Sequence, residues 1–200
     1  MTQLASDTFT TATVADAQMR LIVDSAVDAI DGLAGGIDEM LVDPRSRQVT
    51  DVMVRGRHED PRVVPLDVVT NCDERLTLSW SLADIDDAQP VVHIALVASE
   101  PRPVEDEPVT GTIAIGRSSE VIGVDGHLVG HVRGLVVELE GAITHVVVGR
   151  GHLWARRDVE VLVGHVDSFL PDRVQLGIGR DIVDTFPSTR PRRHERSRPT

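Results

Sequence analysis

HLVGHVRGLVVELEGAITHVVVGRGH, residues 127–152, decides the fold of this chain. It opens with His127 and His131 four positions apart around Gly130. On a helix that spacing puts two imidazoles on one face a turn apart, near enough to share a zinc ion. On a strand the same residues also share a face, but they lie roughly 13 Å apart at about 3.3 Å per residue, too far for one ion. Composition favours the strand, because β-branched residues crowd 134–148 and again 159–166. A second stretch, GLAGGIDEMLVDPRSRQVTDVMVRGRH at 32–58, has the same apolar and glycine spacing without the two histidines. The spacing therefore belongs to the fold and not to a metal.

The two stretches match as copies of one hairpin. Ala34-Gly35-Gly36-Ile37 falls on Val129-Gly130-His131-Val132, and Val49-Thr50 on Ile143-Thr144. The one-residue difference in length is confined to the turn, where hairpins tolerate it. The match runs on: Arg62–Val69 corresponds to Val159–Val166, and Glu74–Leu78 to Asp172–Leu176. Duplication of a unit of about 70 residues accounts for all of it. Period-two alternation predicts further strands, with Leu76, Leu78, Trp80 and Leu82 on one side of LTLSWSL and Val174, Leu176 and Ile178 on one side of RVQLGIG. Trp80 thus reads as a core aromatic.

The expected class is all-β, two tandem small barrels with disordered termini. The expected boundaries are a disordered segment at 1–18, a first barrel at 19–98, an acidic, proline-rich linker at 99–111, a second barrel at 112–187 and a disordered arginine-rich tail at 188–200. Barrels of this size are marginal alone, so they are expected to pack on each other or to form a homodimer.

Composition narrows the function classes. Apolar residues make up 41% of the chain and aromatics 2%, so Val, Ile and Leu must fill the core. A formal charge of −12 argues against a general nucleic-acid-binding body. Every one of the 20 basic residues is arginine, which reads as genome bias. Cys72 stands alone among Asn71, Asp73 and Glu74, with nothing to activate a thiolate. The N-terminal stretch has neither the basic nor the apolar region of a signal peptide, and no apolar run reaches the ~20 residues of a transmembrane segment. A cytoplasmic protein is expected.

The order LVVE, turn, ITHVVV, then VVPLDVV and RLTL, present twice, resembles the PRC-barrel family. The resemblance covers about three quarters of the chain. It implies a small bacterial-type β-barrel that binds other macromolecules, as in the cytoplasmic domain of the photosynthetic reaction-centre H subunit and the C-terminal domain of the ribosome maturation factor RimM. It brings no catalytic residues and no cofactor. This chain differs from the H subunit in lacking a membrane helix, and from RimM in having a second barrel in place of a different N-terminal domain.

Catalytic templates are missing: there is no GxSxG, CxxC, HExxH or phosphate-binding loop, so no enzyme is expected and no catalytic, cofactor or metal residue is assigned. GIGRD at 177–181 contains GxG but falls within the strand that ends the second repeat, and Asp84, Asp86 and Asp87 read as a solvated edge at a barrel rim. His131 and His145, on the two arms of one hairpin, are close enough in register to approach across it, yet two imidazoles are too few for structural zinc. The candidate partner-binding residues are Arg150, His152, Trp154, Arg156 and Arg157 in GRGHLWARRD, because Arg and Trp dominate binding hot spots. The competing reading has Trp154 plugging its barrel while the arginines pair with the chain's own carboxylates. Arg190, Arg192, Arg193, Arg196 and Arg198 form a candidate electrostatic tail for an acidic protein, RNA or anionic lipid. Three functions follow in order: a protein-interaction adaptor or regulator; an RNA- or ribosome-associated factor like RimM; and a small-molecule or metal-binding barrel.

Overall fold

A computed structural model describes residues 18–56, 60–72, 75–90, 111–151 and 157–189. The first copy contributes β1 (Gln18–Ile22), β2 (Ala26–Ala29), β3 (Gly32–Asp43), β4 (Gln48–Gly56), β5 (Arg62–Pro65), β6 (Val69–Cys72), β7 (Leu76–Leu78) and a short helix α1 (Leu82–Asp87). The second repeats the order with β8 (Ile113–Gly116), β9 (Glu120–Ile122), β10 (Leu128–Glu138), β11 (Ile143–Arg150), β12 (Arg157–Leu162), β13 (Val166–Leu170), β14 (Arg173–Leu176) and α2 (Arg180–Val183). The protein is all-β and duplicated. A single 3-10 turn interrupts each copy at matching positions, Leu66–Val68 and Val163–His165. The segments 1–17, 91–110 and 190–200 lie outside the described residues.

Two seven-stranded sheets form. One has the order β5-β4-β3-β2-β7-β6 and the other β12-β11-β10-β9-β14-β13. In each the second and seventh strands of the copy run parallel, Val27 opposite Leu76 and Val121 opposite Val174, while the other pairings are antiparallel. The seventh strand of each sheet comes from the other copy. β1 pairs with β10, Leu21 opposite Leu135, and β8 pairs with β3, Ile115 opposite Met40. The chain turns out of its own sheet at Asp24, whose φ is +67°, a left-handed conformation that Asp tolerates better than most residues. Three residues separate β1 from β2, and three separate β8 from β9, where no residue has a positive φ. Val23 N–H then donates to the Arg133 carbonyl of the other copy, at 2.8 Å.

The copies also meet where β4 and β11 begin. Val49 N–H donates to Gly141 C=O at 2.8 Å and Ile143 N–H to Arg47 C=O at 3.0 Å. Gly141 and Ile143 lie 94 positions after Arg47 and Val49, so the two bonds exchange under the duplication. The copies are related by an approximate twofold passing between these bonds. Alternation does the rest: Met19 and Leu21 of β1, Met40 and Val42 of β3, Ile113 and Ile115 of β8, and Leu135 and Val137 of β10 are all buried in one continuous core. Side chains from both halves close that core, so neither half buries its apolar face without the other.

Glycine is required where β3 and β4 approach most closely. Gly35 has φ +151°, and a Cβ there would run into the Arg55 carbonyl and come within 2.7 Å of Gly56 Cα. Its counterpart Gly130 faces the Gly149 carbonyl in the same way. This is the physical content of the glycine shared by the two opening stretches.

Two local expectations change. LTLSWSL is a strand only to Leu78 and GIGRD is not in a strand at all, because each β7-type strand turns at once into a helix. Ser81 ends the first: its hydroxyl accepts from Asp84 N–H at 3.2 Å, and the Asp84 carboxylate accepts from Ser81 N–H at 2.8 Å. This capping box competes with strand continuation. Asp31 adds a bond from Leu82 N–H at 2.8 Å, and Asp125 does the same for Arg180 N–H at 3.3 Å. Asp84, Asp86 and Asp87 are exposed, as expected of a solvated edge, and they lie on α1. Trp80 is half-buried against the core, as its apolar register predicted.

Candidate functional site

The two copies diverge most in chemistry at one end of the second. Arg150 ends β11 and stands opposite Arg157, the first residue of β12. His152, Trp154 and Arg156, between them in sequence, lie outside the described residues, as do Arg190, Arg192, Arg193, Arg196 and Arg198 of the tail. Two clefts flank Arg150. The larger, about 360 Å³, is lined by Arg117, His131, Arg133, Gly149, Arg150 and Asp158, with Ser118 and Gly151 at its edge. The smaller, about 260 Å³, includes Arg150, Arg157, Arg180, Asp184 and Phe186.

Arg150 is fixed. Its Nε donates to the Val129 carbonyl at 3.1 Å, and its guanidinium pairs with Asp184 while the side chain is only 11% exposed. The Arg150 hydrogen bond holds the Asp184 carboxyl below the usual carboxylate range. Arg117 pairs with Asp24, an exposed contact between the copies. Arg133 and Arg157 have no hydrogen bond or ion pair with another described side chain, so their charge faces the clefts uncompensated. Five guanidinium groups against two lining carboxylates make this the cationic end of an acidic protein.

The first copy shows what the fold itself needs here. Opposite Arg133, His131 and Gly149 in the alignment stand Asp38, Gly36 and Arg55. Asp38 and Arg55 close on each other, with Nε and an Nη of Arg55 at 3.1 and 2.7 Å from the two carboxylate oxygens. The counterpart of the smaller cleft is lined by Gly56, Asp60, Leu82 and Asp86 and has shrunk to about 10 Å³. The same strand order thus carries a shut end of mixed charge in one copy, with Arg62 beside Asp60 and Asp86, and an open, cationic end in the other. Arg150 ties β11 to β10 and to the end of α2, whereas Arg133 and Arg157 serve no such contact.

Of the residues singled out from sequence, the structure brings Arg150 and Arg157 together. Asp158, next to Arg157 on β12, and Arg117, Arg133 and Arg180, from three other segments, were missed. The signal that points to Arg133 is visible in the repeat alignment, where an Asp/Arg pair becomes Arg/Gly. Arg117 and Arg180 carry no such signal, because their convergence depends on the fold.

The histidines do not gather. His131 stands opposite Gly149 and His145 opposite Val136, five positions further along β10, so they cannot approach across the hairpin as expected. Counting outward from the Val137–Ile143 pair already places His131 opposite Gly149, because the register shifts at Arg133 and at Val136/Val137 offset each other. His127 is exposed with Nδ1 3.4 Å from the Asp125 carboxylate, and the His165 ring lies 6.0 Å from that of Phe186. Among the described residues no three His, Cys, Asp or Glu side chains are grouped to hold a metal ion, and no helix is long and apolar enough to cross a membrane.

Compared with known proteins, the chain matches no family model, and no curated protein shows significant similarity to it.

Proposed function

We propose that this is a non-enzymatic, PRC-barrel-like interaction protein of the cytoplasm, an adaptor or regulator that binds an acidic segment of a protein partner at the cationic end of its second copy. The observation that carries this reading is the divergence of the duplicated positions. Gly36, Asp38, Gly56 and Asp60 become His131, Arg133, Arg150 and Arg157 on the same order of strands, and of these arginines Arg133 and Arg157 make no hydrogen bond or ion pair that the fold uses. An uncompensated guanidinium pair on a chain of charge −12 also steers acidic partners to one place and repels them elsewhere. Trp154 and Arg156, in the loop joining β11 to β12, supply the residue types that anchor interfaces.

The test is fluorescence anisotropy with a labelled deca-glutamate peptide and the full-length protein. Binding should weaken with salt and fall at least tenfold in the double variant Arg157→Glu, Arg180→Glu, while Arg45→Glu, on the exposed turn of the first copy, leaves it unchanged. Absence of binding at low salt refutes the reading. Tighter binding of a single-stranded oligoribonucleotide, lost on deletion of residues 188–200, replaces it with the RNA-associated alternative.

A further inference from the structure

We infer that the larger cleft is a binding site for a single carboxylate group, with Arg133 as the fork that grips it. This rests on the reading of the cationic end as a binding face and names the chemistry of its deeper part. Arg133 occupies a β-bulge: Val132 stands opposite Val148 and Gly134 opposite Val147, which leaves Arg133 unpaired in the ladder. Asp38 occupies the same bulge in the first copy, between Ile37 and Glu39. Bulges re-aim side chains, and here the re-aimed residue is an acid in one copy and a base in the other.

What lies under it has changed as well. The stem of Arg133 runs across Gly149, where a Cβ would come within 2.5 Å of Arg133 Cγ and 2.8 Å of its Cδ. In the first copy that position is Arg55, which reaches over and neutralises the bulge residue. The second copy has therefore exchanged the acid for a guanidinium and removed the side chain that would fill the space in front of it. What Arg133 lacks relative to the Asp38–Arg55 pair of the first copy is a carboxylate partner, and the cleft of about 360 Å³ has room for a ligand to supply it.

Charge decides between a carboxylate and a phosphoryl group. Arg117 is engaged by Asp24 and Arg150 by Asp184, so Arg133 is the lining guanidinium without an ion pair among the described residues. Asp158 lines the same cleft and disfavours a dianion. One free fork beside one fixed negative charge suits a singly charged, planar group, which guanidinium binds through two parallel N–H donors. The group can come from a free organic acid or from an Asp or Glu side chain of the partner.

Titration of the ¹⁵N-labelled full chain separates these sources, with sodium glutarate, an acetylated glutamate-containing peptide and inorganic phosphate as probes. Saturable shifts at amides 117–118, 131–134 and 148–151 are expected, and they should be lost in Arg133→Gln and in Gly149→Ala while the remaining spectrum stays that of the folded protein. Binding of glutarate supports the site with a free acid as ligand, and binding of the peptide alone supports it with a chain as ligand. Phosphate binding as tight as either, or no shifts with glutarate and peptide, overturns the inference. Peptide binding unaffected by Arg133→Gln overturns this site but leaves the interaction face standing. Glutarate binding without any peptide binding does the reverse.

Discussion

Leu21→Ala tests the exchange of first strands directly. Leu21 is wholly buried on β1, opposite Leu135 of β10 in the other copy. Truncating a buried leucine costs about 2.7–5 kcal/mol, the transfer term plus the cavity left behind. Taking about 3 kcal/mol against a total stability of about 5–15 kcal/mol, the folding constant should drop on the order of a hundredfold and the protein remain folded. Urea unfolding followed by circular dichroism measures the size of the effect. Hydrogen exchange resolved by mass spectrometry gives its location. Because Leu21 packs in the second sheet, exchange should accelerate over 128–150, more than a hundred positions away in sequence. The mirror variant Ile115→Ala should accelerate it over 32–56, since Ile115 is buried opposite Met40. If Leu21→Ala loosened only residues 18–56 and left 128–150 protected, β1 would belong to its own copy and the exchange would be wrong.

Two further outcomes follow from the local geometry. Gly35→Ala should destabilise by roughly 1–3 kcal/mol or more, since the new Cβ meets strand β4 backbone in a conformation L residues rarely adopt, and thermal unfolding will show it as a lowered midpoint. The Asp84 carboxyl is held below the usual carboxylate range by the Ser81 hydroxyl and then by the Ser81 backbone N–H. A depressed folded-state value means that its contribution is present above the unfolded value of 3.8 and is lost as the pH falls through the lower folded value. Urea midpoints measured between pH 7 and pH 2 should therefore decline less steeply in Asp84→Asn than in the parent; an unchanged slope would count against the capping box.

Much of the fold was legible because it is written locally and written twice. The density of β-branched residues over 134–148 and 159–166 identifies strands whatever they pair with. Alignment of Gly35 with Gly130 identifies a shared constraint before its cause, a close backbone crossing, can be seen. Strand ends were less legible. The capping box at Ser81 and Asp84 stops a strand that the apolar register of Trp80 and Leu82 would prolong, and both signals coexist in the same seven residues. The cleft was half legible: Arg150 and Arg157 flank one loop, whereas Arg117 and Arg180 reach it from segments with no sequence relation to that loop.

The sequence by itself determined a duplicated all-β chain, the hairpins within each copy and the core-facing side of most strands, because these depend on contacts between near neighbours and on a period of two. Only the tertiary structure decided which sheet each first strand joins. β3 and β10 are copies and offer β1 nearly identical edges, so local pattern cannot choose between them. The choice falls to a long-range fit, in which Ile22 lies against Gly134 and Gly116 against Glu39. The same closure brings arginines from four separate segments to one end of the second copy, and that convergence exists only once the chain is folded.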